Sequence, residues 1–373
     1  MGSEVFPDDL LTEILVRLPV KSLVRFTLVS RSWRALVTSP TFVSIHLSQT
    51  KTLILLRLYS PAHNAEIYSI HFNTADFDLC QQLDFSFRAS AQSRGFRIVG
   101  SCNGLLCLSD ALGILVWNPI IRKSLSIPNS RGEEPENSRV LGFGFDSRSD
   151  DYKVIKLAYP QIPSLTMIFN NPPKVEVYSL NSRSWRSIDA VTPPGGFIES
   201  SRKQVFLNGA VHWVAMSDRH GYSIVSFNIA DEVFDEMPLP EIRGSSSSPA
   251  YFSIALLGKH LSAFEYEGFA WSNSGVGLLS RGVSVWVMEK YGVVESWKKR
   301  FNVDFQQRLG SVVGMPLEIR GDSEILLATN DGRLILYSAQ SHHAKDVGAC
   351  GKVYSCYADR FVESLVLFEN GID

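Results

Sequence analysis

The sequence predicts a mainly β chain. A head of three helices over residues 1–48 is followed over 49–373 by a β-propeller of about six four-stranded blades, closed by a strand near the C-terminus. Three observations carry this. Strong helical periodicity is confined to Val5–Leu47, and from residue 50 onward the chain is short β-rich runs split by polar turns. One kind of run ends in an aromatic and recurs: Phe72, Trp117, Tyr178, Phe227, Trp286 and Tyr337 lie 45, 61, 49, 59 and 51 residues apart by subtraction. A period near ~50 residues with four strands in each repeat is what a propeller requires.

In the head, Pro7 fits a first helical turn, where its missing N–H is no loss, and Asp8 and Asp9 suit that positive end. Leu10, Leu11, Ile14, Leu15 and Leu18 share one broad face, and Pro19 stops the helix. Leu23, Phe26 and Leu28 lie in a second short run. Ser30 or Ser32 caps a third helix carrying Trp33, Leu36 and Val37, and Pro40 starts one more turn through Phe42 and Ile45. So short a bundle hides little by itself, and its surplus of apolar residues marks a partner site.

These residues resemble an F-box, the helical module that docks the Skp-type adaptor of SCF ubiquitin ligases. The matching positions are Phe6-Pro7-Asp8-Asp9-Leu10, Ile14-Leu15, Arg17 through Leu23, Arg25-Phe26, Val29-Ser30, Ser32-Trp33, Leu36 and Phe42. Phe6 stands where many members have Leu, an exchange of apolar for apolar. Under this resemblance Pro7, Leu10, Leu11, Ile14, Leu18, Pro19, Leu23, Val29 and Trp33 form the adaptor-docking face or the packing that shapes it.

Each later aromatic has a strand pair upstream. Phe96–Gly100 turns through Cys102-Asn103-Gly104 into Leu105–Leu108, and Gln204–Leu207 through Asn208-Gly209 into Val211–Val214. Asn-Gly between apolar runs is a strong hairpin signal. Val140–Phe145, Ser253–Leu256 and Leu317–Ile319 open similar pairs. The first repeat has no strand ahead of Leu53–Leu58, because the head occupies that place. The run Phe361–Phe368 is therefore expected to return, complete the first blade and remove an unpaired edge.

The body resembles the F-box-associated, kelch-like domain of plant F-box proteins. Gly100-Ser101-Cys102-Asn103-Gly104-Leu105, Val116-Trp117-Asn118-Pro119, Gly142 to Asp146, Asp151 to Val154, Val175 to Leu180, Ser184-Trp185, Asn208 to Trp213 and Phe361 to Leu365 carry the likeness. The paired glycines of true kelch repeats are missing, so six blades is the expectation and seven the alternative. The resemblance implies a substrate receptor: the head binds the adaptor, the adaptor a cullin, and the propeller a target protein for ubiquitination. It reaches both S-locus F-box proteins, whose targets are S-ribonucleases, and members acting on immune receptors, so it does not name the target.

Composition bounds the rest. The chain has 373 residues, 45% hydrophobic and 20% charged, with 36 basic against 38 acidic residues. No basic tract points to nucleic acid, and no apolar run reaches the ~18 residues of a membrane span. Five cysteines in no tight framework read as reduced thiols, which places the chain in cytoplasm and/or nucleus. There is no Walker loop, no Gly-x-Ser-x-Gly elbow, no His-Glu-x-x-His and no zinc spacing. The expectation is a receptor with no catalytic residues, metal or cofactor, the rivals being an F-box scaffold without ubiquitin transfer and a propeller enzyme. Two long second-to-third loops, Tyr159–Lys174 and Gly268–Gly282, and two polar links, Asn129–Arg139 and Glu241–Pro249, are the candidate target-binding segments.

Overall fold

The computed structural model describes residues 8–367 apart from 61–62, 75, 88–94, 111–112, 131–137, 161–171, 193–195, 199–202, 218–220, 241–250, 268–269, 272–277, 280–281, 306–312, 322 and 353–354. The head holds four helices, α1 (Asp8–Leu15), α2 (Val20–Phe26), α3 (Arg31–Thr38) and α4 (Pro40–Gln49), one more than expected. Pro19 adopts φ −59° and ψ 146° between the first two. Ser30 caps α3 by accepting the Trp33 amide at 3.1 Å, and Ser39 caps α4 by accepting that of Phe42 at 3.2 Å. The turn predicted at Pro40 grows to ten residues because α4 buries Phe42 and His46, and the imidazole Nε2 of His46 lies 3.0 Å from the Leu18 carbonyl.

Among the described residues six antiparallel blades follow, five of four strands and one, blade 4, whose innermost strand is split in two. Blade 2 runs from the axis outward as Arg97–Cys102, Leu105–Ser109, Ile114–Asn118 and Lys123–Ile127. Blade 3 is Ser138–Asp146, Asp151–Tyr159, Lys174–Ser179 and Ser184–Ile188. Blade 4 has two short inner segments, Gly196–Ile198 and Val205–Leu207, on Ala210–Ser217, then Gly221–Asn228 and Val233–Pro238. Blade 5 is Tyr251–Leu257, His260–Glu267, Gly282–Met288 and Trp297–Asp304, and blade 6 is Val313–Arg320, Glu324–Thr329, Arg333–Ser338 and Ala344–Cys350. In both Asn-Gly hairpins each turn residue has positive φ, 50° and 78° at Asn103-Gly104 and 52° and 76° at Asn208-Gly209, which matches the twist of the strands they join.

Blade 1 is closed from the far end of the chain. Tyr357–Phe361 pairs antiparallel with Leu53–Ser60, Leu53 opposite Phe361, inside Ala65–Phe72 and Leu79–Leu83. Closure by the C-terminal region was expected, but the strand lies four residues earlier than the predicted Phe361–Phe368. An innermost strand lines the polar axis, so Asp359 and Arg360 belong in it, whereas Phe361 and Leu365 leave it for a buried core. The apolar run Leu53–Leu58 is buried on both faces: Leu53 and Leu55 point to blade 2 and the head, Ile54, Leu56 and Leu58 to blade 6.

Among the described residues, apolar clusters fill each interface between neighbouring blades. Trp117, Tyr178, Phe227 and Tyr337 are buried there as blade-core anchors. Two anchors depart from expectation. Phe72 is 44% exposed: it ends Ala65–Phe72 on the opposite face from His71, beside a ladder slip whose extra residue is Cys80 of the outer strand. Phe77 fills the interface instead, its ring stacked 4.5 Å from His71 with the Arg320 guanidinium 4.9 Å away. Trp286 is half-buried beside a similar slip after Val285, and its indole N–H donates to Glu265 at 2.7 Å.

The cluster at blades 1 and 2 also contains the head. Leu15, Val16, Val20, Leu23, Val37 and Phe42 pack with Tyr68, Ile98, Leu106, Trp117, Phe361 and Leu365. Head and propeller thus share one core rather than being joined by a linker.

Candidate docking faces

The head turns apolar side chains outward. On α1, Leu10 and Ile14 are 50% and 54% exposed and one turn apart, hence on one face. Between α2 and α3, Leu28 and Val29 are 87% and 64% exposed. Pro19 is exposed, Leu11, Leu18 and Trp33 are half-buried, and Leu23 is fully buried, where it shapes the face rather than joining it. Trp33 packs edge-on to Phe26 at 5.4 Å. Pro7 lies outside the described residues. Sequence reasoning missed Leu28, which it assigned to a helical run without a docking role. The signal was an apolar pair, Leu28-Val29, just ahead of the Ser30 cap, where a turn between helices is ordinarily polar.

Topology fixes which end of the propeller this face occupies. α4 runs into Leu53, the start of a second strand, so the head sits at the end where first strands turn into second strands. Ile120 and Ile121, in a third-to-fourth turn at that same end, pack against the head cluster. Second-to-third loops leave from the opposite end. Tyr159 and Lys174, and Glu267 and Gly282, bracket the two long ones there. Most residues of those loops, and of the links Asn129–Arg139 and Glu241–Pro249, lie outside the described residues.

The axis carries a third arrangement. Lys203, next to the inner strand of blade 4, reaches across to blades 6 and 1. Its ammonium donates to Glu318 at 2.9 Å and lies 3.0 Å from Asp359. Burial opposes that charge, but the two carboxylates hold the Lys203 ammonium above its ordinary range. Asp359 also accepts from the Tyr357 hydroxyl at 2.8 Å, and Arg360 lies 3.6 Å from Glu318. Beside this crossbar a cavity of about 220 Å³ is lined by Thr52, Ser101, Asn103, Gln204 and Arg360, among others. Gln204 spends its amide on the backbone of Phe143, both bonds 2.7 Å. The charges are paired, although Glu318 Oε1 and Arg360 Nε are buried and make no hydrogen bond, and among the described residues no three His, Cys, Asp or Glu side chains gather to hold a metal.

The chain is thus a propeller sharing one core with a helical module whose apolar side chains face outward. Comparison with known families agrees. The F-box domain matches residues 5–44 and the F-box associated beta propeller domain matches residues 58–367. The chain belongs to the family of F-box proteins with an F-box associated β-propeller. It is 31% identical to F-box protein At3g07870 of Arabidopsis thaliana over 81% of this chain and 73% of that protein. It is 29% identical to F-box/kelch-repeat protein At3g23880 of the same plant, over 80% and 79%. With F-box protein CPR1, also from that plant, it shares 28% identity over 97% and 88%. F-box domains in general bind a Skp-type adaptor, and proteins carrying them are generally non-catalytic.

Proposed function

We propose that this chain is the substrate-recognition subunit of an SCF-type ubiquitin ligase, working in cytoplasm and/or nucleus. The head docks a Skp-type adaptor and through it a cullin. The far end of the propeller holds a target protein near the ubiquitin-charged E2. No covalent chemistry occurs on this chain; it raises the local concentration of target lysines at the reactive thioester. The observation that carries the reading is the exposed apolar set on the head, Leu10, Ile14, Leu28 and Val29, at the end opposite the long loops.

Affinity purification of the full chain from plant cells tests it. Adaptor and cullin co-purify, and a captured target accumulates when the chain is lost. Failure to recover adaptor and cullin sinks the ligase reading. Recovery without any target stabilisation favours a scaffold that transfers no ubiquitin. Replacing 160–173 and 269–281 by short turns abolishes target capture while adaptor binding persists; unchanged capture moves the target site elsewhere.

A further inference from the structure

The segment after the closing strand, Val362–Leu367, makes no ladder of its own yet touches three parts of the molecule. It continues directly from Phe361 of blade 1. Toward blade 2, the fully buried Asn118 amide donates to the Ser364 carbonyl at 3.0 Å and to the Val366 carbonyl at 2.9 Å. The Asn118 side-chain carbonyl meanwhile accepts the Ile120 amide at 3.1 Å, so one residue ties the segment to the turn beneath the head. Gly104 has to be glycine for the same reason. Its φ is +78°, and a Cβ there would sit 2.6 Å from the Val362 carbonyl. Toward the head, Glu363 is half-buried near Val20, with Lys21 and His46 the charges that face it. Leu365 is buried among Leu15, Val16, Val20 and Leu23.

From these contacts we infer that Val362–Leu367 is a strap that fixes the orientation of the head on the propeller, with Leu365 its positioning residue and Asn118 its anchor on blade 2. The stretches Gly100–Leu105, Val116–Pro119 and Phe361–Leu365, far apart in sequence, meet at this strap. The head lacks a core large enough to set its own orientation, and α2 has no side-chain cap from its own N-cap residue Pro19. Burial pushes the Glu363 carboxyl up, in keeping with a group enclosed between head and propeller. The strap holds the adaptor-docking face in register with the target-binding end. Only that last consequence rests on the function proposed above; the orientation itself does not.

The test is a distance distribution between head and propeller in the full chain. Nitroxide labels go on Thr41→Cys in α4 and Ser182→Cys in blade 3, with exposed Cys80 and Cys350 replaced by serine. Pulsed electron paramagnetic resonance is expected to give one narrow distance for the unaltered strap and at least a twofold broader distribution for Glu363→Ala with Leu365→Ala. Hydrogen-exchange protection of blades 3 to 5 stays unchanged. If the double variant fails to fold, Leu365→Ala alone is compared with Leu365→Met, which keeps the apolar volume and restores the narrow peak. Equal widths in the unaltered chain and Leu365→Ala, or no rescue by methionine, overturn the strap. Adaptor affinity is measured in parallel and stays within twofold. Loss of adaptor binding by the unaltered chain would refute the proposed function and leave the distance result standing.

Discussion

Leu28 gives the sharpest test of the head. It is 87% exposed, so it contributes almost nothing to the stability of the free chain. If the adaptor covers it, truncation to alanine removes two buried methyl groups and one methine, three carbons, from the complex. At roughly 0.8 kcal/mol per buried carbon the loss is about 2 kcal/mol, which corresponds to ~30-fold in Kd. Leu28→Ala therefore weakens binding to a recombinant Skp-type adaptor by about that factor in titration calorimetry. Adding Val29→Ala, at 64% exposure, weakens it further. The urea midpoint of the free protein stays put, as expected for surface changes within ~0.5 kcal/mol. An unchanged Kd would show that the adaptor does not cover the turn between α2 and α3. A fall in the urea midpoint would show that Leu28 is packed rather than waiting for a partner.

Further expectations follow from the axis and the buried charges. Lys203→Met strands two carboxylates at the channel and costs about 3–5 kcal/mol of stability in denaturant unfolding; adding Glu318→Gln restores part of it, and strict additivity would refute the crossbar. Gly100→Ala places a Cβ 2.2 Å from the Gln204 amide, displaces it from Phe143 and destabilises by roughly 2 kcal/mol, read as a lower urea midpoint. Acid unfolding has two windows. Burial holds the His212 imidazole down to about 4 from 6.5, so the unfolded chain binds that proton first and stability falls between those values. Burial alone would raise the carboxyls of Asp146 and Glu176, but hydrogen bonds from Lys153 and Ser149, and from Lys156 and Lys174, hold each at about 2. Their contribution is full above the unfolded values of 3.8 and 4.5 and is lost as pH falls toward 2. His212→Gln should flatten the upper window only; an unchanged pH profile would refute the assignment.

The blades were legible because a propeller repeats one local problem. Each third strand places a large ring at the next interface, and Asn-Gly turns announce the hairpins. The reading failed where local pattern and global position diverge. Tyr357-Ala358-Asp359-Arg360-Phe361 carries two charges and does not look like a strand, yet the innermost position in a blade accommodates such residues. Val362 to Leu367 looks like a strand and is a strap instead. Phe72 fits the repeat by spacing but lies on the wrong face of its strand, and the interface is filled by Phe77 stacked on His71. The axial crossbar had no sequence signature: Lys203 and Glu318 are 115 residues apart and meet only because the ring closes. On the head, periodicity located the helices and the outward face of α1, but could not tell that Leu28 lies beyond the end of α2.

Closure of the ring from the far end also sets the order in which the protein matures. Leu53 and its partner Phe361 are 308 residues apart, so blade 1 stays three-stranded on the ribosome until Tyr357–Phe361 has been made. The core beneath the head lacks Phe361 and Leu365 for the same interval. A product cut short by a premature stop, even one that retains all four helices and five intact blades, emerges with a bare inner strand edge and a gap under its head. Ring closure thus makes Tyr357–Phe361 a proofreading step for the head and the first blade, and chains cut short before it should be cleared as misfolded rather than compete for the adaptor.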